Sequence, residues 1–99
     1  MLRRTILLWG IITAISWAAS GASVYKVCVG CHGKRGEKSA VGVSKVIRGQ
    51  NAALTVKQLK AYRAGTLNQY GMGNLMNKYA KRLSDAQIKA VARYIAGLR

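Results

Sequence analysis

Two thiols and an imidazole stand within five residues, Cys28-Val29-Gly30-Cys31-His32. Thiols three positions apart can reach two vinyl groups on one side of a porphyrin and close two thioethers. The residue that follows then lies beneath the ring and can offer a nitrogen to iron. The spacing reads as covalent attachment of haem through Cys28 and Cys31, with His32 as the proximal axial ligand. Other uses of these residue types need partners that the sequence lacks. A thioredoxin-like dithiol sits in a βαβ unit, and no strand pattern surrounds this motif. A structural zinc site takes four Cys or His ligands, and the whole chain holds two Cys and one His. A Cys28–Cys31 disulfide would close too short a loop to stabilise much, and it would leave His32 without a role.

Iron held by one imidazole keeps a second axial position. With a single His in the chain, a second imidazole is excluded, and a Met, a Lys, a Tyr or an open position remains. Thioether sulfur is a soft donor, and Met/His ligation raises the reduction potential of haem. Apart from Met1, the methionines are Met72 and Met76.

The elements that must position these groups are short. Val24, Tyr25, Val27 and Cys28 give one apolar side leading into the motif, with Lys26 turned to solvent. From Gly33 to Asn51 the glycines at 33, 36, 42 and 49 break any regular pattern. Val41, Val43, Val46 and Ile47 are expected to fold over one haem face, since no second strand exists to pair with them. The spacing predicts a helix from about Leu54 to Ala64, with Leu54, Leu59 and Tyr62 as a stripe and Gly65 just past its end. Thr66 to Leu75 carries neither helix nor strand pattern. A last helix follows Ser84, which forms a capping box with Gln87. Asp85 in its first turn and Arg99 near its end suit the helix dipole. Ile88, Val91, Ala92, Ile95 and Leu98 recur at helical spacing, with Tyr94 beside them.

Residues 1–22 read as a secretory leader. Arg3 and Arg4 form a basic start, Ile6 to Trp17 an apolar run, and Ala18 to Ala22 a small-residue end. Ser20-Gly21-Ala22 predicts a cut before Ser23, and Ala18-Ala19-Ser20 is the competing site. The apolar run is shorter than the roughly 20 residues of a spanning helix, so an uncleaved membrane anchor is the secondary reading. Residues 23–99 then form one domain, of a size that seldom builds a strong core unaided. The chain has no Phe; a covalently held haem would supply the missing apolar surface.

Formal net charge is +15, and loss of Arg3 and Arg4 with the leader lowers it by two, to +13; only Glu37 and Asp85 oppose it. A field of this size exceeds that of ordinary small domains and favours anionic surfaces. An exported haem protein does not meet nucleic acid. The partners implied are an acidic redox protein, a membrane-bound oxidoreductase or an anionic membrane surface.

The chain resembles a small bacterial class I cytochrome c. The resemblance is carried by Tyr25 to Gly33, by Leu59-Lys60-Ala61-Tyr62-Arg63-Ala64-Gly65-Thr66, by Met76 through Leu83-Ser84-Asp85, and by Ile88 to Leu98. It implies an all-α fold of about three to four helices wrapped around one covalent haem c. It also implies a distal Met seven residues before the Leu of a Leu-Ser-Asp helix start. That position is Met76; Met72 then belongs to the approach loop. Family members often use a Pro carbonyl to accept the proximal His N–H. This chain has no Pro, and a backbone carbonyl between Val41 and Ser44 is expected instead. The function implied is a monomeric periplasmic carrier of single electrons, not an enzyme, with Lys34, Arg35, Lys57, Lys60 and Lys78 as docking candidates. Tyr62, Tyr79 and Tyr94 are candidates to pack on the haem or bind its propionates. Alternatives are an electron-transfer subunit of a larger periplasmic oxidoreductase, and a haem gas sensor with an open distal site.

Overall fold

A computed structural model describes residues 20–42 and 44–99. Most of the expected leader, and Val43, lie outside the described residues. Those residues form five α-helices and a 3₁₀ turn, with no strand among them: α1 (Gly21–Tyr25), α2 (Val29–His32), the turn Ala40–Gly42, α3 (Ala52–Ala64), α4 (Gly73–Ala80) and α5 (Asp85–Ala96). Among the described residues no helix is long and apolar enough to cross a membrane.

The last helix follows its sequence signals closely. Ser84 Oγ accepts from Gln87 N at 3.1 Å, and Gln87 Oε1 accepts from Ser84 N at 2.9 Å. Two N–H groups that the helix start would leave unpaired are thereby satisfied. Ile88, Ala90, Val91, Ala92 and Ile95 are buried along it. Arg93, not Arg99, is the cation of its last turn. Helix α3 starts at Asn51, whose Oδ1 accepts from Leu54 N at 3.2 Å, and closes on Gly65 in the left-handed region. Its buried position is Thr55; Leu54, expected on the apolar stripe, is 45% exposed.

Helix α4 is the element that sequence pattern missed. Asn68 Oδ1 accepts from Gly73 N at 2.7 Å and starts the helix from the preceding loop. Asn77 Nδ2 donates to the Tyr62 carbonyl at 2.7 Å and to the Arg63 carbonyl at 3.2 Å. The end of α3 would otherwise leave such carbonyls unpaired. Arg63 then reaches across, donating to the Leu83 carbonyl at 3.0 Å and pairing with Asp85 at 2.6 Å. That bond holds the Asp85 carboxyl below its usual range. The segment between α3 and α5 is thus fastened at both ends.

Helix α1 packs on α5, and α3 packs on both α4 and α5. Tyr25, Val91 and Ile95 form the buried centre, with Val24, Cys28, Val29, Leu59 and Tyr94 among the residues against it. The Tyr25 and Tyr94 rings lie 5.3 Å apart, centroid to centroid. Helix α1 runs across the expected leader boundary, with Ser20 as its N-cap and Gly21 against Ala90 of α5. The count of three to four helices rises to five for two reasons: the haem motif forms its own short helix, α2, and α4 emerges from the Gly-rich stretch.

Candidate haem site

Cys28 and the Val29–His32 helix form the floor of the site. His32 N donates to the Cys28 carbonyl at 2.9 Å, and Gly33 N to the Val29 carbonyl at 2.8 Å. This single turn sets both sulfurs and the imidazole on one wall. Tyr25 fixes the turn to the core, because its hydroxyl donates to the Gly33 carbonyl at 2.6 Å in a buried position. Tyr25→Phe keeps the ring and strands that carbonyl. The expected loss is about 1–3 kcal/mol of stability, read by denaturant unfolding. Burial, followed by the nearby Cys28 thiol, pushes the Tyr25 phenol up to about 12 from an ordinary 10.0. Its raised value means that its contribution is complete below the unfolded pKa and disappears as pH climbs toward 12. Tyr25→Phe removes that alkaline component.

A cavity of about 1190 Å³, counting its mouth to solvent, opens above this floor. Cys28, Cys31 and His32 line it from one side, and Met72 and Met76 also line it. The structure therefore brings together all five residues singled out from sequence. Leu59, Leu75, Leu83, Val91 and Ile95 make much of the remaining wall. Ile47 lines the cavity as expected of the 33–51 loop, whereas Val46 is 46% exposed. Val27, expected on the apolar side, lines the cavity while remaining 59% exposed. Tyr62 and Tyr79 line the cavity, but Tyr94 packs on Tyr25 in the core.

The electrostatics suit ligation rather than dithiol chemistry. Burial lowers the pKa of His32 and favours the neutral imidazole, the form a metal ligand requires. Burial, with Cys31 adding to it, pushes the Cys28 thiol up to about 11. A redox-active cysteine needs the opposite shift. His32 is 8% exposed and its Nδ1 has no hydrogen-bond partner among the described residues. Of the 41–44 stretch expected to supply a carbonyl, the described residues provide none to this nitrogen, and Val43 lies outside them. The Ser44 carbonyl instead accepts from Ser39 Oγ. An orphaned buried nitrogen is costly, and here it sits on a wall that also carries two free thiols. A large, flat, mostly apolar ring with a metal at its centre fits this donor set and this wall.

Sequence reasoning missed a polar group on the same cavity. Gln50 Nε2 donates to Thr55 Oγ1 and to Gln58 Oε1, each at 2.8 Å. All three line the cavity, as do Lys45 and Tyr70. No spacing rule marks them, because their meeting depends on how the 44–51 loop packs against α3. Lys34, Arg35, Lys57, Lys60 and Lys78 are all exposed, and none lines the cavity.

Residues 18–99 match the family model described as cytochrome c. The chain is 38% identical over 105 residues to cytochrome c-553 of Nitratidesulfovibrio vulgaris (strain DSM 19637 / Miyazaki F), covering 98% of this chain and 100% of that protein. It is 38% identical over 74 residues to cytochrome c-553 of Helicobacter pylori (strain ATCC 700392 / 26695), covering 75% and 73%. It is also 39% identical over 72 residues to the thiosulfate dehydrogenase electron acceptor of Thiomonas intermedia (strain K12), covering 70% of this chain and 31% of that protein.

Proposed function

The chain belongs to the cytochrome c family, carries covalently attached haem c and transfers electrons; from that premise we propose which residues hold the cofactor and where the carrier works. Cys28 and Cys31 would form the two thioethers, and His32 (proximal) and Met76 (distal) would bind the iron. The observation that supports this reading is the shared cavity: both sulfurs, the imidazole and the methionines line one mostly apolar space.

Haem c, when bound, supplies a one-electron couple at iron. The protein residues do the rest. Cys28 and Cys31 would tether the ring covalently. His32 and Met76 would both ligate the iron, a donor set suited to a carrier rather than an enzyme. Leu59, Leu75 and Leu83 line the cavity and would keep water from the haem, an exclusion that helps set the potential.

The carrier is proposed to be periplasmic and monomeric, with residues upstream of the domain acting as an export leader. Its partner is a redox protein or membrane-bound oxidoreductase with an acidic face. Exposed Lys34, Arg35, Lys57, Lys60 and Lys78 supply the complementary charge, and an anionic membrane surface would attract the same field. The relative named as a thiosulfate dehydrogenase electron acceptor supports an oxidoreductase as the electron donor. The expected kinetic result is an association rate with an acidic partner that falls steeply as ionic strength rises. Stopped-flow reduction over a salt series measures it, and a salt-independent rate would remove charge steering from the account. Absorption spectra of both oxidation states, with the intact mass of the purified protein, test the cofactor and its attachment together. Free behaviour on gel filtration at moderate salt separates the carrier from a subunit of a larger assembly.

A further inference from the structure

Ser20 and Gly21 are built into the domain, although the simplest reading of the sequence discards them. Ser20 is the N-cap of α1: its Oγ accepts from Ser23 N at 3.3 Å, and its carbonyl accepts from Val24 N at 3.2 Å. Gly21 is where α1 meets α5. A Cβ at this position would press into the Ala90 carbonyl and come within 2.8 Å of Tyr94 Cβ. The absence of a side chain lets the two helices approach, and that approach brings Tyr25 onto Tyr94. A cut before Ser23 removes the cap, the first residues of α1 and the crossing glycine together. A cut before Gly21 removes the cap.

We propose that a leader peptidase hydrolyses the Ala18–Ala19 bond, so that the working protein begins at Ala19 and retains Ser20 and Gly21. The amide C–N bond breaks; water gives its hydroxyl to the Ala18 carbonyl carbon and a proton to the Ala19 nitrogen, with no electrons exchanged. The proposal rests on the leader reading above. Leader peptidases select small residues at the first and third positions before the cut. Cutting after Ala19 places Trp17 at the third position. Cutting after Ser20 or after Ala22 satisfies the peptidase but yields a domain without its cap. Cutting after Ala18 places Ala18 and Ser16 at the two positions and leaves the whole of α1 intact. The sequence alone does not separate these sites; the Ser20 cap and the packing of Gly21 against Ala90 together do.

The test is the N-terminus of the haem-bearing protein, made from the full chain in an exporting bacterium with haem-maturation machinery. Sequencing and intact mass should both give Ala19. A start at Ser20, Gly21 or Ser23 overturns the placement and leaves the leader reading standing. A start at Met1 overturns both. Two variants sharpen the assignment. Ala18→Phe should eliminate the Ala19 terminus, leaving precursor or material cut after Ala22. Ala22→Phe, at an exposed position of α1, should leave the yield and the Ala19 terminus unchanged. Blocked processing in Ala22→Phe, or an Ala19 terminus retained in Ala18→Phe, would refute the proposed bond.

Discussion

Met76→Ala should abolish the six-coordinate low-spin spectrum of the haem-bearing protein and lower its midpoint potential, while Met72→Ala leaves both near their original values. The two methionines stand one helical turn apart, with Met76 N donating to the Met72 carbonyl at 3.0 Å. Both are half-buried and both line the cavity. Their difference is in how the backbone holds them. Met72 is the residue before α4, with no side-chain cap of its own. Met76 sits inside α4, next to Asn77, whose amide is bonded to two carbonyls at the end of α3. The sulfur carried by the fastened helix is therefore the one assigned to iron. Met/His ligation raises the potential, so loss of the thioether must lower it. The measurement is a ferric spectrum extended to the near-infrared, where sulfur ligation gives a weak band, paired with a redox titration. Loss of that band in Met72→Ala instead would reverse the assignment. Retention in both single variants would mean that either sulfur can serve.

The legible part of this molecule is the part in which chemistry or local geometry acts over a few residues. Cys28, Cys31 and His32 are set by one helical turn, so their spacing in sequence is nearly their spacing in space. Ser84 and Gln87 are likewise local, and the capping box forms as its residue types require. Gly65 ends α3 because only a residue tolerant of the left-handed region closes a helix there cheaply. What failed depends on contacts that a helix makes with a loop or with another helix. Helix α4 has glycines at 71 and 73 and no long apolar period; it forms because Asn68 and Asn77 bond it to the preceding loop and to α3. Leu54 looked like a core residue by type, yet Thr55 takes the buried place, with Gln50 satisfying its hydroxyl. Leader chemistry and helix packing both favour small residues, so Ser20-Gly21-Ala22 carries two readings in one string. Only the position of Ala90 across the interface tells them apart.

The double variant Cys28→Ala/Cys31→Ala, exported without covalent haem, should lose most of its helical circular dichroism and its cooperative melt. Among the described residues the largest fully buried side chains are Tyr25, Ile88 and Val91, and four of the other buried apolar residues are alanines. So small a core is marginal for a domain of about 80 residues, whose whole stability is roughly 4–12 kcal/mol. The cavity wall is where the remaining large apolar groups are spent. Ile47, Leu59, Leu75 and Leu83 line it and are only half-buried, and fully burying a side chain of this kind contributes about 1.5–3 kcal/mol. Left wet, even half of that contribution is comparable with the whole stability. The haem-bearing and haem-free proteins should therefore differ in fold rather than in melting temperature alone. Single variants separate attachment from occupancy: Cys28→Ala or Cys31→Ala retains one thioether and the His32 ligand, and it should remain helical with a lower melting temperature. A cooperative thermal transition in the double variant, close to that of the haem-bearing protein, would show that the polypeptide holds its fold by packing alone. The cavity would then be a preformed receptacle instead of a core completed by its cofactor.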